Sequence, residues 1–341
     1  MTWRSGFELL AHMRPHIRIS PFLPREWCFL LQEKNDRFKK KSHTDPSFWL
    51  DQAKDLKFLD SGRSALLACL EYEDIKRNDE VLILTTTGGP YISSCVTKTI
   101  EKICRWEREP SAKTRAVLVI HEFGFPCPYS VIKPYIEKGI PIIEDCAYSI
   151  GSRIQGAAVG GVGDYAIYSL TKYYPVSFGG ILVSRKRLLQ NIDSRHSEKQ
   201  SDEESNPEEI LRSAQNDRKT PGTLNSVDER LLKQTIQKAS AFTPQWNNLR
   251  RKNWEFFAKK LRPHKITPYF KLDQKNVPGV FLAKLPEGFR GDIRKRQLNN
   301  AGVEATEYYG QGGFYFPVHQ FLSEYEKNYI LHHFLTPNTD K

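Results

Sequence analysis

The stretch RAVLVIHEFGFPCPYSVIKPYIEKGIPIIEDC, residues 115–146, decides the fold class. Its first part, 115–124, is an apolar run rich in β-branched residues, which predicts a buried strand. A helical segment at 128–139 follows and leads into a second apolar strand at 140–146. Two such strands separated by one helix are typical of a βαβ unit, in which the strands lie parallel and buried.

The same alternation extends on both sides of this stretch. Helices are predicted at 61–75 and 91–106, on either side of a strand at 80–85, and further strands at 164–170 and 179–184. We therefore expect an α/β fold with a mostly parallel sheet flanked by helices on both faces.

The C-terminal third has a different pattern. The polar segment 191–222 predicts a long exposed loop, and a helix-rich stretch at 227–261 follows it. A strand at 278–285 and helices at 290–302 and 323–335 then indicate a smaller α+β domain.

These patterns divide the chain into an N-terminal segment 1–49, a large domain 50–230 and a small C-terminal domain 231–341. The segment ATEYYGQGGFYF (305–316) allows two interpretations, a mobile lip over an active site or packing between the domains.

Composition and charge limit the function classes. The 341 residues are 39% hydrophobic and 12% aromatic, which is enough for a packed core. The net charge of +11 is scattered, with one dense run at 37–41 and no nucleic-acid-binding motif, so we predict a solvated basic surface. Six cysteines without a C-x-x-C pair, and nine histidines without metal spacing, predict a reduced chain with no metal site. Since neither a signal peptide nor an 18-residue apolar run is found, we predict a cytoplasmic protein with no membrane span.

Three features could form a site for a phosphate-bearing aldehyde cofactor. Lys172 follows a predicted strand, at the edge where open α/β sheets bind ligands. Asp145 ends the strand IPIIED, and SGRSA at 61–65 opens a helix whose free N–H groups attract anions. Pyridoxal 5'-phosphate (PLP) would use all three, for a Schiff base, for its ring nitrogen and for its phosphate. Each feature alone also has a structural explanation, as a solvated charge, a loop cap or a helix cap.

Longer stretches resemble one enzyme family. They are DSGRSALLACL (60–70), the run from HEFGFPCPYS to GGILVS (121–184) and FPVHQFLSEYEKNYI (316–330). Their order and spacing are similar to the DegT/DnrJ/StrS family of PLP-dependent sugar aminotransferases, which have the aspartate-aminotransferase fold (PLP fold type I). The resemblance covers 57–190 closely and 225–335 more loosely.

The resemblance implies roles for single residues. Lys172 would be the Schiff-base lysine and, once released, the base that moves a proton, while Asp145 would pair with the ring nitrogen. The other cofactor-binding residues would be Gly62, Arg63, Ser64, Tyr91, Tyr148, Ser169 and Asn225, the last reaching the cofactor of a partner subunit. His319 and Tyr308 would line the substrate site.

Three positions depart from the family pattern. Arg63 replaces a threonine, and it could either bind phosphate as a fork or point into solvent. Tyr148 replaces a glutamine or histidine near the ring hydroxyl, and it can still donate a hydrogen bond. Gly88 stands where the family stacks an aromatic on the cofactor, and Tyr91 could take that place after a shift.

The resemblance implies ping-pong transamination. Glutamate would convert the cofactor to pyridoxamine phosphate, which would then aminate a nucleotide-linked keto sugar. A homodimer is implied as well, because this fold type builds its site between subunits. Two alternatives stay open: a catalytically silent or regulatory descendant, motivated by Arg63 and Gly88, and a type I aminotransferase for a non-sugar keto substrate.

Overall fold

The computed structural model describes residues 19–20, 55–185 and 224–336. The predicted loop at 191–222 and the basic run at 37–41 therefore lie outside the described residues. In chain order, the strands up to residue 185 are β1 (Asp55–Leu59), β2 (Glu80–Thr85), β3 (Arg105–Glu107), β4 (Thr114–Ile120), β5 (Ile142–Asp145), β6 (Arg153–Ile154), β7 (Ala157–Ala158), β8 (Tyr165–Ser169) and β9 (Gly180–Ser184).

Seven of these strands form one mixed sheet, in the order β1-β9-β8-β5-β4-β2-β3. From β3 to β8 the neighbouring strands are parallel, whereas β9 runs antiparallel to both β8 and β1. The predicted α/β fold with a mostly parallel sheet is confirmed. Because β5 and β8 are parallel neighbours, Asp145 and Ser169 end at the same edge of the sheet.

Helices cover both faces of this sheet, and the last two of the described helices pack in the C-terminal part. Along β2, Val81 and Ile83 pack on one face, and Leu82 packs on the other with Ile132. This alternation buries both faces, as the near-continuous apolar strands predict. The helices are α1 (Gly62–Tyr72), α2 (Ser94–Ile100), α3 (Tyr129–Glu137), α4 (Ser226–Ser240), α5 (Thr243–Leu261), α6 (Gly291–Asn300) and α7 (Glu324–Leu335).

The C-terminal part has its own sheet and core. Its strands are β10 (Thr267–Pro268), β11 (Val280–Lys284), β12 (Thr306–Tyr308) and β13 (Gly313–Pro317), antiparallel in the order β10-β11-β13-β12. Phe281 stacks on Phe316, and Phe257 of α5 packs edge-on against Phe316 with ring centres 4.7 Å apart. Ile19 joins this core and exchanges backbone hydrogen bonds with Gly302 and Glu304.

Helix α5 connects the two cores. Trp246 near its start packs in the core of the seven-stranded sheet, and Phe257 near its end packs in the C-terminal core. The predicted domain limit at 230 falls inside α4, whose Leu232 and Ile236 pack on the larger sheet. The change from one core to the other therefore occurs within α5.

Some local predictions were wrong. The helix expected at 91–106 is limited to α2, and Arg105–Glu107 is instead the edge strand β3, which pairs with β2. Backbone pairing at the sheet edge outweighs the helical pattern there. For the segment 305–316, the pairing of β12 and β13 and the packing of Tyr308 against Phe123 support the second interpretation, packing between the two parts of the chain. Among the described helices, none is long and apolar enough to cross a bilayer, and the cytoplasmic location stays a prediction.

Candidate active site

Lys172 ends a short 3-10 turn, Leu170–Lys172, that directly follows β8. The Leu170 N–H donates to the Gly179 carbonyl at 3.0 Å, and the Tyr174 N–H donates to the Leu170 carbonyl at 2.8 Å. These bonds turn the chain at the carboxyl edge of the sheet. The lysine is partly buried there, as the sequence predicts for a ligand-binding edge.

The surroundings of Lys172 lower the pKa of its amine. Its Nζ atom lies 3.9 Å from the centre of the Tyr148 ring. Burial lowers the pKa of Lys172 below its usual value, and the charge of Arg63 lowers this pKa further, against opposing effects of Asp145 and Cys95. Because only the neutral amine can attack a carbonyl carbon, a lowered pKa suits a nucleophilic lysine.

Asp145 supplies a buried carboxylate close to this amine. Its side chain is only 8% exposed, and its Oδ1 atom accepts a hydrogen bond from the Ala147 N–H at 2.9 Å. The carboxylate also acts electrostatically on Lys172. A buried carboxylate that faces a ligand site is suited to hold a protonated ring nitrogen.

The start of α1 forms the third part of the site. Ser61 is its N-cap, and the Ser61 hydroxyl accepts a hydrogen bond from the Ser64 N–H at 3.2 Å. A Cβ atom on Gly62 would lie 3.2 Å from the Cβ of Ser169, so the helix terminus abuts the end of β8. The N–H groups in the first turn of a helix attract anions, and this turn of α1 lies beside Ser169.

A continuous row of aromatic rings leads away from the lysine. We call Tyr148, Phe123, Tyr308, Tyr91 and Tyr309 the aromatic wall. Consecutive ring centres in this row lie 6.0, 5.6, 5.1 and 6.3 Å apart. The last ring, Tyr309, is 47% exposed, so the wall runs from the reactive amine to the surface.

The departures from the family pattern have distinct outcomes. Gly88 adopts a φ of +68° in a turn after β2, a conformation that glycine adopts without steric cost. Tyr91 belongs to the aromatic wall, which keeps an aromatic ring near the site. Arg63 is exposed, and its charge reaches Lys172.

Three other predicted residues have structural contacts of their own. Asn225 is the N-cap of α4, and its Oδ1 atom accepts a hydrogen bond from the Asp228 N–H at 2.8 Å. Tyr308 is buried and donates to Glu122 at 2.6 Å. His319 is 3% exposed, and burial together with the charge of Arg250 lowers the pKa of His319 to about 3. Their cofactor and substrate roles stay predictions.

A buried pair, His121 and Glu144, stabilises the end of β5, and the sequence analysis did not identify it. Glu144 accepts hydrogen bonds from His121 Nε2 and from the N–H groups of Gly160, Val162 and Gly163. Burial alone would raise the pKa of Glu144, but the hydrogen bonds from His121 and from the N–H groups hold it below its usual value. The pair fixes Glu144, the residue that precedes Asp145.

The same pair approaches a cysteine. Ligand atoms of His121, Glu144 and Cys146 lie within 4.8 Å of one another. His121 Nδ1 already accepts from the Cys127 N–H at 3.0 Å, so Nε2 carries the hydrogen that it donates to Glu144. Both ring nitrogens are thus engaged, and we interpret the group as structural.

Sequence comparison adds an independent observation. The profile of the DegT/DnrJ/EryC1/StrS aminotransferase family matches residues 105–332. The chain belongs to this family. The predicted family is confirmed, and the matched region contains Asp145, Lys172 and two residues that contact Lys172, Tyr148 and Arg250.

Individual relatives match only part of this chain or match it at low sequence identity. GDP-perosamine synthase of Vibrio cholerae is 33% identical over 86 residues, which are 24% of this chain and 23% of that enzyme. The match therefore spans about a quarter of the length of this curated relative. The aminotransferase TlmJ of Streptoalloteichus hindustanus superposes with a TM-score of 0.64 at 16% identity, over 93% of this chain and 98% of that chain. This likeness shows the fold.

The residues present fit the cofactor of the family, whose aminotransferases depend on PLP. A Streptococcus pneumoniae protein described as a sugar aminotransferase, solved in its PLP form, has the same fold, with a TM-score of 0.62 at 15% identity over 93% of this chain and 97% of that chain. In the present chain, the start of α1 beside Ser169 suits a phosphate, Lys172 suits an aldehyde and Asp145 suits a protonated ring nitrogen.

Proposed function

We propose that this chain is a PLP-dependent aminotransferase that moves the amino group of glutamate to a nucleotide-linked keto sugar. The observation that carries the proposal is the convergence of Lys172, Asp145 and the start of α1 at one sheet edge. When bound, PLP supplies an electron sink for the charge that develops as a proton leaves the substrate carbon.

Each part of the site has a role in this proposal. The Lys172 amine binds the cofactor aldehyde and, once released, moves a proton at the substrate carbon. Its lowered pKa keeps a larger neutral fraction near pH 7. Asp145 holds the proton of the ring nitrogen, and the N–H groups at the start of α1, beside Ser169, bind the phosphate.

The aromatic wall supports a sugar-nucleotide substrate. Apolar faces of sugars and nucleobases pack on aromatic rings. At the outer end of the wall, Lys295 donates to the Tyr309 hydroxyl at 2.5 Å, which places a positive charge where a diphosphate could bind. A nucleotide-linked sugar also appears in the name of the Vibrio cholerae relative.

A homodimer is part of the proposal. Val227 and Leu231 on α4 are 59% and 48% exposed, and their spacing of four residues puts them on one helix face. This apolar face begins two residues after Asn225, the residue expected to reach a partner subunit. Light scattering of the purified protein measures the mass, and Leu231→Glu should shift a dimer toward monomer.

The first experiment is the visible spectrum of the purified protein with PLP, before and after glutamate. We expect a yellow band that glutamate bleaches, and borohydride reduction should attach the cofactor to Lys172. Lys172→Ala should lose the covalent bond, while the exposed Lys138→Ala serves as a matched control. A wild-type protein that stays colourless would contradict the proposal and favour the silent descendant.

The acceptor is tested separately. The glutamate-treated enzyme is mixed with nucleotide-linked keto sugars or with simple keto acids, and return of the yellow band reports amino transfer. We expect return with a keto sugar nucleotide, and a higher KM for Tyr309→Ala. Return with simple keto acids alone would identify the non-sugar aminotransferase.

A further inference from the structure

A buried guanidinium holds the backbone of Lys172. Arg250, in the middle of α5, is 1% exposed. Its Nη2 atom donates to the main-chain carbonyl of Lys172 at 2.9 Å, and its Nε atom donates to the Gln320 side-chain oxygen at 2.7 Å. Its guanidinium carbon also lies 4.7 Å from the centre of the Tyr173 ring.

Burial of the Arg250 guanidinium lowers the stability of the folded protein. In the part of the chain that the structure describes, the hydrogen-bond partners of Arg250 are a carbonyl and an amide oxygen, and no carboxylate forms an ion pair with it. Burial lowers the pKa of Arg250 to about 10. A buried cation without a counter-charge lowers stability, so a purely structural hydrogen bond would be made more cheaply by a neutral side chain.

Arg250 lies where the two cores meet. The Lys172 turn belongs to the large sheet, whereas Gln320 follows β13 of the C-terminal sheet. Gln320 also donates to the Tyr173 carbonyl at 3.0 Å. The carbonyls of Lys172 and Tyr173 are therefore held by one linked pair of side chains, and this pair joins the lysine turn to the C-terminal part.

We propose that Arg250, supported by Gln320, is the positioning residue of Lys172. The guanidinium fixes the turn that aims the Lys172 amine at the site and keeps that amine screened from water. This inference rests on the proposed function in one respect, that Lys172 is the reactive amine. By this inference, contacts at the junction of the two cores control the position of the Lys172 amine.

The test measures Lys172 itself, without cofactor. Acetic anhydride labels neutral amines, and mass spectrometry of the Lys172 peptide across a pH series gives the midpoint at which this lysine becomes reactive. In Arg250→Gln the turn loosens and water reaches the amine, so we expect the midpoint to rise by about one pH unit. Arg251→Gln is the matched control, because neighbouring Arg251 donates to the carbonyls of Asp273 and Asn276, away from the lysine.

A second readout uses PLP and borohydride. Arg250→Gln should slow reducible capture of PLP at Lys172 by about tenfold, since small misplacements of a reacting group are costly. Gln320→Ala should act in the same direction, and the double variant should be no worse than Arg250→Gln, because the two side chains act as a unit. Wild-type midpoint and capture rate in folded Arg250→Gln would overturn the inference.

Two further outcomes can be separated from failure of the inference about Arg250. If wild-type protein captures no PLP, the proposed function fails, yet the labelling midpoints still decide the role of Arg250. If circular dichroism finds Arg250→Gln unfolded, Arg250→Lys and Gln320→Ala decide instead. Arg250→Lys keeps the positive charge but lacks the guanidinium that bonds both Lys172 and Gln320, so it should shift the midpoint partway. Unchanged midpoints in both Arg250→Lys and Gln320→Ala would overturn the inference.

Discussion

The Nζ atom of Lys172 lies 3.9 Å from the centre of the Tyr148 ring. The ring has two opposing effects on the amine. It attracts the charged form through the cation–π interaction, which is worth about 0.5–2 kcal/mol, and it also displaces the water that solvates this form. The pKa of Lys172 is lowered, with burial as its largest cause, so we expect the loss of solvation caused by the ring to outweigh the attraction.

Removing the ring should therefore raise the pKa of Lys172. We expect the pH at which PLP is captured by borohydride reduction to rise by up to about one unit in Tyr148→Ala. Tyr148→Phe keeps the ring and should leave this midpoint unchanged, so it separates the ring from the hydroxyl. A lower midpoint in Tyr148→Ala would mean that the cation–π interaction dominates.

Asp145→Asn should bind PLP but turn over slowly. An amide cannot stabilise the protonated ring nitrogen as a carboxylate does, and we expect kcat to fall by about 10²–10⁴-fold. Stopped-flow bleaching of the yellow band by glutamate measures the effect. Asp74→Asn, on an exposed turn, is the control, and normal turnover of Asp145→Asn would disprove the role of this carboxylate.

A methyl group at Gly62 should weaken cofactor binding more than folding. The added Cβ would lie 3.2 Å from the Ser169 Cβ, which is tighter than an ordinary contact, and relief of this contact should move the helix start away from the expected phosphate position. We expect the PLP dissociation constant of Gly62→Ala to rise about tenfold, or about 1.4 kcal/mol. Gly139→Ala is the control for strain without a contact. At Gly139 the φ is +68° and nothing lies within 4 Å of an added Cβ. An alanine there should therefore lower stability without changing PLP affinity.

His319 should make the protein acid-sensitive. Its pKa falls from 6.5 to about 3 on folding, so between these values the unfolded chain binds a proton that the folded chain does not. Stability is lost as the pH falls below about 6.5, by up to about 1.4 kcal/mol per pH unit.

His319→Gln removes this proton linkage. Between pH 7.5 and 5 we expect wild type to lose about 2 kcal/mol more unfolding free energy than the variant, as measured by urea denaturation at each pH. Equal losses in the two proteins would show that His319 is not held neutral in the folded state.

The prediction of the fold from sequence worked best where local pattern and burial agree. The strand at 80–85 was predicted at its observed bounds, because its apolar residues pack on both faces of the sheet. The strand β1 was missed, since its five residues carry two charges and are held mainly by pairing with β9. The hairpin of β12 and β13 was also missed, because its aromatic and glycine-rich sequence has no clear period.

Arg250 illustrates a site residue that the sequence analysis missed. Within the sequence LRRKNW (249–254), Arg250 resembles a solvent-exposed basic residue. Trp246, Arg250 and Trp254 are spaced by four residues, however, so they share one face of α5, and all three are buried. That spacing was the available signal, but only the packing of Lys172 and Gln320 around the guanidinium reveals its contacts.

The sequence by itself determined the α/β class, the family and the order of Asp145, Lys172 and the helix start along the chain. These features depend on local apolar periodicity and on short motifs, which are properties of neighbouring residues. Only the tertiary structure decided that Tyr148 covers the lysine, that Gly62 abuts Ser169 and that Arg250 holds the lysine turn. Such contacts join residues far apart in the chain, and they arise from the pairing of strands and the packing of two cores.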